Sequence, residues 1–207
     1  MFYKTHHHIF AIVITFMLSL SHTAHSADVQ TIINELKAGM PNTISQSYKA
    51  IPHGQTTFSS TQSPSSGAEK IYFDHFFTLT DLMMSARVSA LTNLYHGRGG
   101  ITVSRYNAAY NLAMNGFSQL KVPSNASKAQ ELILTAIKEH RAFLNKWNSA
   151  KGGAKDKIKN SYRNDPLVRS SSRKLIQAYG VLMSRYSSET GHNKKAFYDH
   201  LCALDFI

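Results

Sequence analysis

Apolar side chains recur at three- and four-residue steps along most of this chain, and that spacing is the tightest constraint on its fold. Over residues 69–96, Phe73, Phe76, Phe77, Met83, Met84, Val88, Leu91 and Leu94 fall mostly at those steps, the spacing of one helix face. The segment IYFDHFFTLT has strand propensity on its own, but no hairpin partner follows it. Gly97, Gly99 and Gly100 are expected to end this helix. Residues 102–120 set Tyr106, Ala109, Tyr110, Ala113 and Phe117 on one face, and Pro123 stops them. Residues 124–148 carry Leu132, Ala136, Ile137, Phe143, Leu144 and Trp147, with Ser127 and Gln130 suited to a capping box. Asp165 before Pro166 reads as an N-cap and first helical residue. Val168, Leu175, Tyr179, Leu182 and Tyr186 follow, and Gly191 is expected to close that helix. A last helix over about 193–205 presents Phe197, Leu201 and Leu204. No period of 20–50 residues repeats, which argues against a solenoid. The expected fold is all-α: an up-down bundle of about five core helices with an N-terminal helical arm.

Three segments are expected. Residues 1–27 have the form of a secretory signal peptide: Lys4, an uncharged apolar run from Ile9 to Leu20, then small residues up to Ser26 and Ala27. The run is too short for a spanning helix, which needs about 20 residues, so no transmembrane segment is expected in the mature chain. His6, His7 and His8 leave with the leader and form no metal site. Residues 28–68 read as a helical arm broken at Gly39 and Pro41, followed by a Ser/Thr-rich linker, PHGQTTFSSTQSPSSGA, without a charged side chain. A linker of that length is uncommon inside a compact domain, which suggests a loosely attached arm. Residues 69–207 form the bundle. Cys202 is the one cysteine, so an intramolecular disulfide is excluded and the exported chain must rely on its core.

The charge is concentrated. Residues 146–174 hold nine cations against two anions, Asp156 and Asp165, a net +7. The chain after residue 27 holds 22 cations and 12 anions, a net +10. Solubility alone is served by scattered charge. If the helices alternate direction, the glycine-bearing segments HGRGG and KGGAK meet at one pole. The helix N-termini near Thr102 and Pro166 would point there too, and a helix N-terminus suits phosphate. The expected anion-binding set is Arg98, Arg105, Lys151, Lys155, Lys157, Lys159, Arg163, Arg169 and Arg173. The bland alternative is a solvated basic loop over 149–165. GRGG lacks the Lys and Ser/Thr of a P-loop and has no strand before it.

Catalytic motifs are missing. The sequence holds no HExxH, GxSxG or CxxCH. Asp199, His200 and Cys202 resemble a nucleophile set in print, but helix residues two apart do not face each other. Asp74 and Asp81 share a stripe, where a solvated polar face is the ordinary outcome. His75 sits among phenylalanines as a boundary histidine. His53, His96, His140 and His192 show no metal-ligand spacing. Asn125-Ala126-Ser127 matches a glycosylation sequon, which matters only in a eukaryotic secretory pathway. No cofactor, metal or enzymatic activity is expected.

Together, the leader Met1–Ala27, the disulfide-free helical body and the basic cluster 151–174 resemble the small exported helical proteins that Gram-negative intracellular bacteria such as Legionella release through type II secretion. The resemblance implies periplasmic transit, release from the cell as an effector, and contact with host surfaces. It carries over no catalytic residue.

The expected function is non-enzymatic binding of an anionic ligand, with phosphoinositide headgroups on host membranes favoured, because clusters of four to eight Lys and Arg suit them. Sulfated polysaccharide offers the same electrostatics. A protein-interaction module, inhibitor or adhesin, with a host protein as partner, is the alternative. Nucleic acid is disfavoured: no recognition helix, RNA-binding aromatic signature or zinc finger is present.

Overall fold

The computed structural model describes residues 29–35 and 56–205. The chain is all-helical there, without a strand among the described residues. α1 spans Gly67–Tyr95, α2 Gly99–Gln119, α3 Ser124–Ser149, α4 Gly153–Ser161, α5 Pro166–Arg185 and α6 Gly191–Asp205, with a 3-10 turn over Tyr162–Asn164. Residues 29–35 are helical as well. The expected leader over 1–27, and residues 36–55 of the expected arm and linker, lie outside the described residues.

α1 starts where Ser66 and Glu69 cap each other. Ser66 Oγ accepts from the Glu69 N–H, and the Glu69 carboxylate accepts from the Ser66 N–H. The helix is 29 residues long, about 43 Å at 1.5 Å per residue. Leu82 through Arg87 are buried without a break, so the middle of α1 is enclosed on every side and not along one stripe. Its N-terminal half carries an aromatic cluster. Phe73 lies 5.2 Å from Phe197 of α6 and 4.9 Å from Tyr186, ring centroid to centroid, and Phe76 lies 5.3 Å from Phe117 of α2.

Arg87 sits in this interior at 2% exposure and donates to the Leu204 carbonyl at the end of α6. Burial lowers its pKa to about 10, against the raising influence of Tyr106 and Asp205. The residue remains a cation, held where a helix end offers unsatisfied carbonyls.

The helices alternate in direction. Near the start of α1 and of α3, the Tyr72 hydroxyl donates to Gln130 at 3.0 Å. Asn107, early in α2, bonds Asn145, late in α3, at 2.9 Å. α3 and α5 pack lengthwise, and Lys174 meets Glu139 across them at 2.8 Å. α6 returns over α1 and α5, with His200 Nδ1 2.6 Å from Asp81 of α1 and Ser172 of α5 donating to Asp205 at 2.8 Å.

Several boundaries differ from the sequence expectation. The basic segment is a nine-residue helix, α4, and not a loop over 149–165; Ile158 packs against the core cluster and gives the segment a half-buried side. Gly99 and Gly100 open α2, and Gly191 opens α6 and does not close α5. α3 begins at Ser124 after Pro123 with no side-chain cap, so Ser127 and Gln130 form no box at its start. Val88 and Leu91 are only partly buried.

The second half of the expected linker is anchored to the bundle. Phe58 stacks with Phe197 at 6.2 Å and lies 5.2 Å from Phe73. Ser63 and Ser65 donate to Glu189 at 2.5 and 2.7 Å. The Ser59 and Thr56 N–H groups donate to Asn193 and Asp199, each at 2.9 Å. Val29 and Ile33, at 1% exposure each, are also part of the core. Polar backbone without its own ladder is thus satisfied by side chains of α6 and the turn before it.

Burial pushes the Glu189 carboxyl upward, but hydrogen bonds from Ser63, Ser65, Asn193 and the Thr190 N–H outweigh it and hold the group below its ordinary value. Its contribution is therefore present above the ordinary glutamate range and lost as pH falls through the folded value. Glu189→Gln should cost about 1–3 kcal/mol near neutrality, measured by urea unfolding, and the difference from wild type should shrink between about pH 6 and about pH 3. An unchanged difference across that window would exclude an ionised Glu189 as the anchor.

Candidate anion-binding pole

The pole is built where α1 and α3 end and α2 and α5 begin. Gly97 takes φ +74° in the turn between α1 and α2, a conformation that favours glycine. A Cβ on Gly99 would lie 2.5 Å from Leu94 Cδ2 and 2.8 Å from Asn148 Oδ1. Absence of a side chain there lets the first turn of α2 close against the last turns of both α1 and α3. At the other junction, Lys146 of α3 meets Asp165, the cap of α5, at 2.7 Å. Lys159 of α4 lies over the Tyr95 ring of α1 at 4.3 Å. HGRGG and KGGAK therefore share one end of the bundle.

The expected cations are arranged in two groups. Lys155 and Lys159 are four residues apart and both half-buried, and Lys159 faces Tyr95 of α1; Lys151 and Lys157 are exposed. Arg98 is exposed at the N-cap position of α2, without a side-chain cap bond. Arg163, Arg169 and Arg173 line one cleft of about 420 Å³ together with Val168, Ser172 and Asp205. Arg105 is exposed on α2, about 10 Å along the helix axis from Arg98 at 1.5 Å per residue, on the flank and not at the tip.

None of these nine side chains is in an ion pair among the described residues. Asp165, at the start of α5, is already engaged. Asp165 accepts from the Leu167 N–H at 3.0 Å and from Lys146, so the N-terminus of α5 is filled by a carboxylate of the chain itself. The expectation that this helix end offers free N–H groups to phosphate is corrected accordingly; Asp165 does what its place before Pro166 predicts. In the arginine cleft, Asp205 is bonded by Ser172.

Beside the lysine group lies an apolar recess that sequence reading did not reveal. It measures about 230 Å³ and is walled by Val88, Leu91, Thr92 and Tyr95 of α1, His96 at its C-cap, and Trp147 and Tyr162. Trp147 and Tyr162 are nearly parallel, at 15° and 6.1 Å. Trp147 is 2% exposed, whereas Tyr95 is 49% exposed and forms the rim. The half-buried state of Val88 and Leu91 follows from this recess, which they line.

His200, Cys202 and His140 occupy three separate surroundings. His200 faces Asp81 across helices and stacks on Phe77 at 4.4 Å, away from the pairing with Cys202 that the sequence shows in print. Cys202 lies instead in a groove with Tyr179, Tyr198 and Ile176. His140 is fully enclosed, and burial, with Arg87 nearby, pushes its pKa well below the usual value. No cluster of three metal-ligating side chains occurs among the described residues. No helix among them is long and apolar enough to cross a membrane.

Asp165 closes the pole by capping α5. Asp165→Ala should cost about 1–2 kcal/mol in denaturant unfolding, while Asp165→Asn, which caps equally well, should cost under about 1 kcal/mol, the worth of an exposed ion pair. No family model matches the chain, and no curated protein or solved structure matches it; what the pole can do follows from its own geometry.

Proposed function

We propose that the basic pole binds a phosphate-bearing anionic ligand and that the protein acts by binding and not by catalysis. The observation that carries this reading is the set of nine cations gathered at one end and flank of the bundle with no acid of the described chain within ion-pair distance. Like charges held together repel, and an external anion relieves that repulsion. The arginine cleft supplies shape. Guanidinium forks match phosphate oxygens in two-bond contacts, and three of them line one cleft. The lysines of α4 supply the surrounding field.

Phosphoinositide headgroups on a membrane are the ligand class this arrangement favours. Each Lys or Arg near an anionic membrane contributes about 1 kcal/mol, and several phosphates on one headgroup can engage the cleft and the lysines together. The exported character of the leader and the resemblance to type II secreted proteins support a host membrane as the place of action, after release from the cell. A second reading has its own observation: Ile176 and Tyr198, 65% and 46% exposed, border the groove between α5 and α6, a surface suited to a protein partner.

Co-sedimentation of residues 28–207 with neutral, phosphatidylserine and phosphoinositide vesicles tests the proposal. Binding should favour phosphoinositide at matched charge and persist at physiological salt. Arg169→Gln with Arg173→Gln should weaken it by about thirtyfold, at about 1 kcal/mol for each cation removed. Equal binding to both anionic lipids, lost with salt, would reduce the pole to non-specific charge. No binding to any vesicle would overturn the membrane reading, and a partner interaction indifferent to these substitutions would favour the α5–α6 groove.

A further inference from the structure

The recess beside the lysines combines three properties that the charge argument does not use. Its walls are apolar and aromatic, contributed by Val88, Leu91, Trp147 and Tyr162. Its rim carries a cation, because Lys159 Nζ lies 4.3 Å from the centroid of the Tyr95 ring that borders it. Its volume, about 230 Å³, is below the roughly 300–1,000 Å³ of pockets that enclose a whole drug-sized ligand. Such a site takes a segment of a ligand and leaves the remainder outside.

We infer that this recess holds the apolar segment of an anionic amphiphile, an acyl or alkyl chain whose phosphate stays at the rim on Lys159. The inference deepens the proposed function and rests on the basic pole being an anion site. The physical reasoning is one of matching. A chain segment leaving water gains about 0.8 kcal/mol per buried CH₂, and the apolar wall over α1 is where this molecule leaves Val88 and Leu91 incompletely covered. A purely ionic ligand would leave that wall wet. A neutral or cationic chain would forgo Lys159 or be repelled by it and by Lys155, one helical turn earlier. The occupant that satisfies wall and rim together is a phosphate or carboxylate joined to a chain, as in a single-chain lipid or a chain splayed from a bilayer surface.

The protein carries its own reporter, since Trp147 is the chain's one tryptophan and lines the recess. Tryptophan emission of residues 28–207 should change saturably on titration with monododecyl phosphate below its micelle concentration. Inorganic phosphate alone should not reproduce the change. Dodecyltrimethylammonium should bind at least about tenfold more weakly. Lys159→Met, which keeps the chain length and removes the charge, should weaken monododecyl phosphate by about tenfold or more. Thr92→Phe, at an exposed position of α1, should fill the recess and abolish the response without unfolding the protein; circular dichroism verifies the fold. No emission change with monododecyl phosphate, or an equal response to the cationic amphiphile or in Thr92→Phe, would overturn the inference. Vesicle co-sedimentation separates the two levels. Vesicle binding with a silent Trp147 would leave the anion pole standing without the chain site, and a responsive Trp147 without vesicle binding would leave a soluble amphiphile site and remove the membrane.

Discussion

The enclosure of α1 is the constraint on which the rest of the structure depends. A stretch of six consecutive buried residues, Leu82 to Arg87, cannot lie on a surface; neighbouring elements must surround that stretch. α2 takes one side, α6 another and α3 a third, with α5 packed behind α3 and α6. Without a disulfide available to Cys202, this burial and the aromatic contacts around Phe73, Phe77 and Phe197 carry the stability of the bundle. The anchoring of residues 56–66 on Glu189, Asn193 and Asp199 follows from the same need, since it fixes Phe58 as a lid on that aromatic cluster.

The same enclosure positions the basic pole. α1 stops at Tyr95, and its last turn meets α4 through Lys159 over the Tyr95 ring, while Ile158 packs against the core cluster. α4 is short, and its mean side-chain character is polar; packing and not propensity holds it. The Lys146–Asp165 contact and the Asp165 cap fix where α5 begins, and so where Arg169 and Arg173 project. Charge repulsion within the pole is the cost of this arrangement. A function that requires anion binding offers a physical reason for a chain to retain such repulsion, because scattered lysines would serve solubility equally well.

Much of the architecture was legible in the residue pattern. The three- and four-residue steps marked the core helices, and the Asp165-Pro166 pair marked the start of α5. Alternation of direction brought HGRGG and KGGAK together on paper, and the Gly99–Asn148 approach shows why: short connections leave antiparallel neighbours as the compact solution. Other features were legible and missed. Ser66-Gly67-Ala68-Glu69 is a capping box two helices earlier than the box expected at Ser127 and Gln130. Ile158 amid lysines is the signal that α4 has a half-buried side. The Ser-rich linker concealed its acceptors, since Glu189, Asn193 and Asp199 lie more than 120 residues away.

By itself the sequence determined the helical class, the concentration of charge in residues 146–174 and the pairing of positions within a helix, because a 3.6-residue period dictates which side chains share a face. It set Arg169 beside Arg173 in that way. Only the tertiary structure decided that Arg163 and Asp205 join them in one cleft, that Arg87 is enclosed against the end of α6, and that Val88, Leu91, Trp147 and Tyr162 surround a recess. The physical reason is that periodicity describes a helix about its own axis, whereas the rotation and axial offset of one helix against another arise from how unlike side chains interlock across the contact.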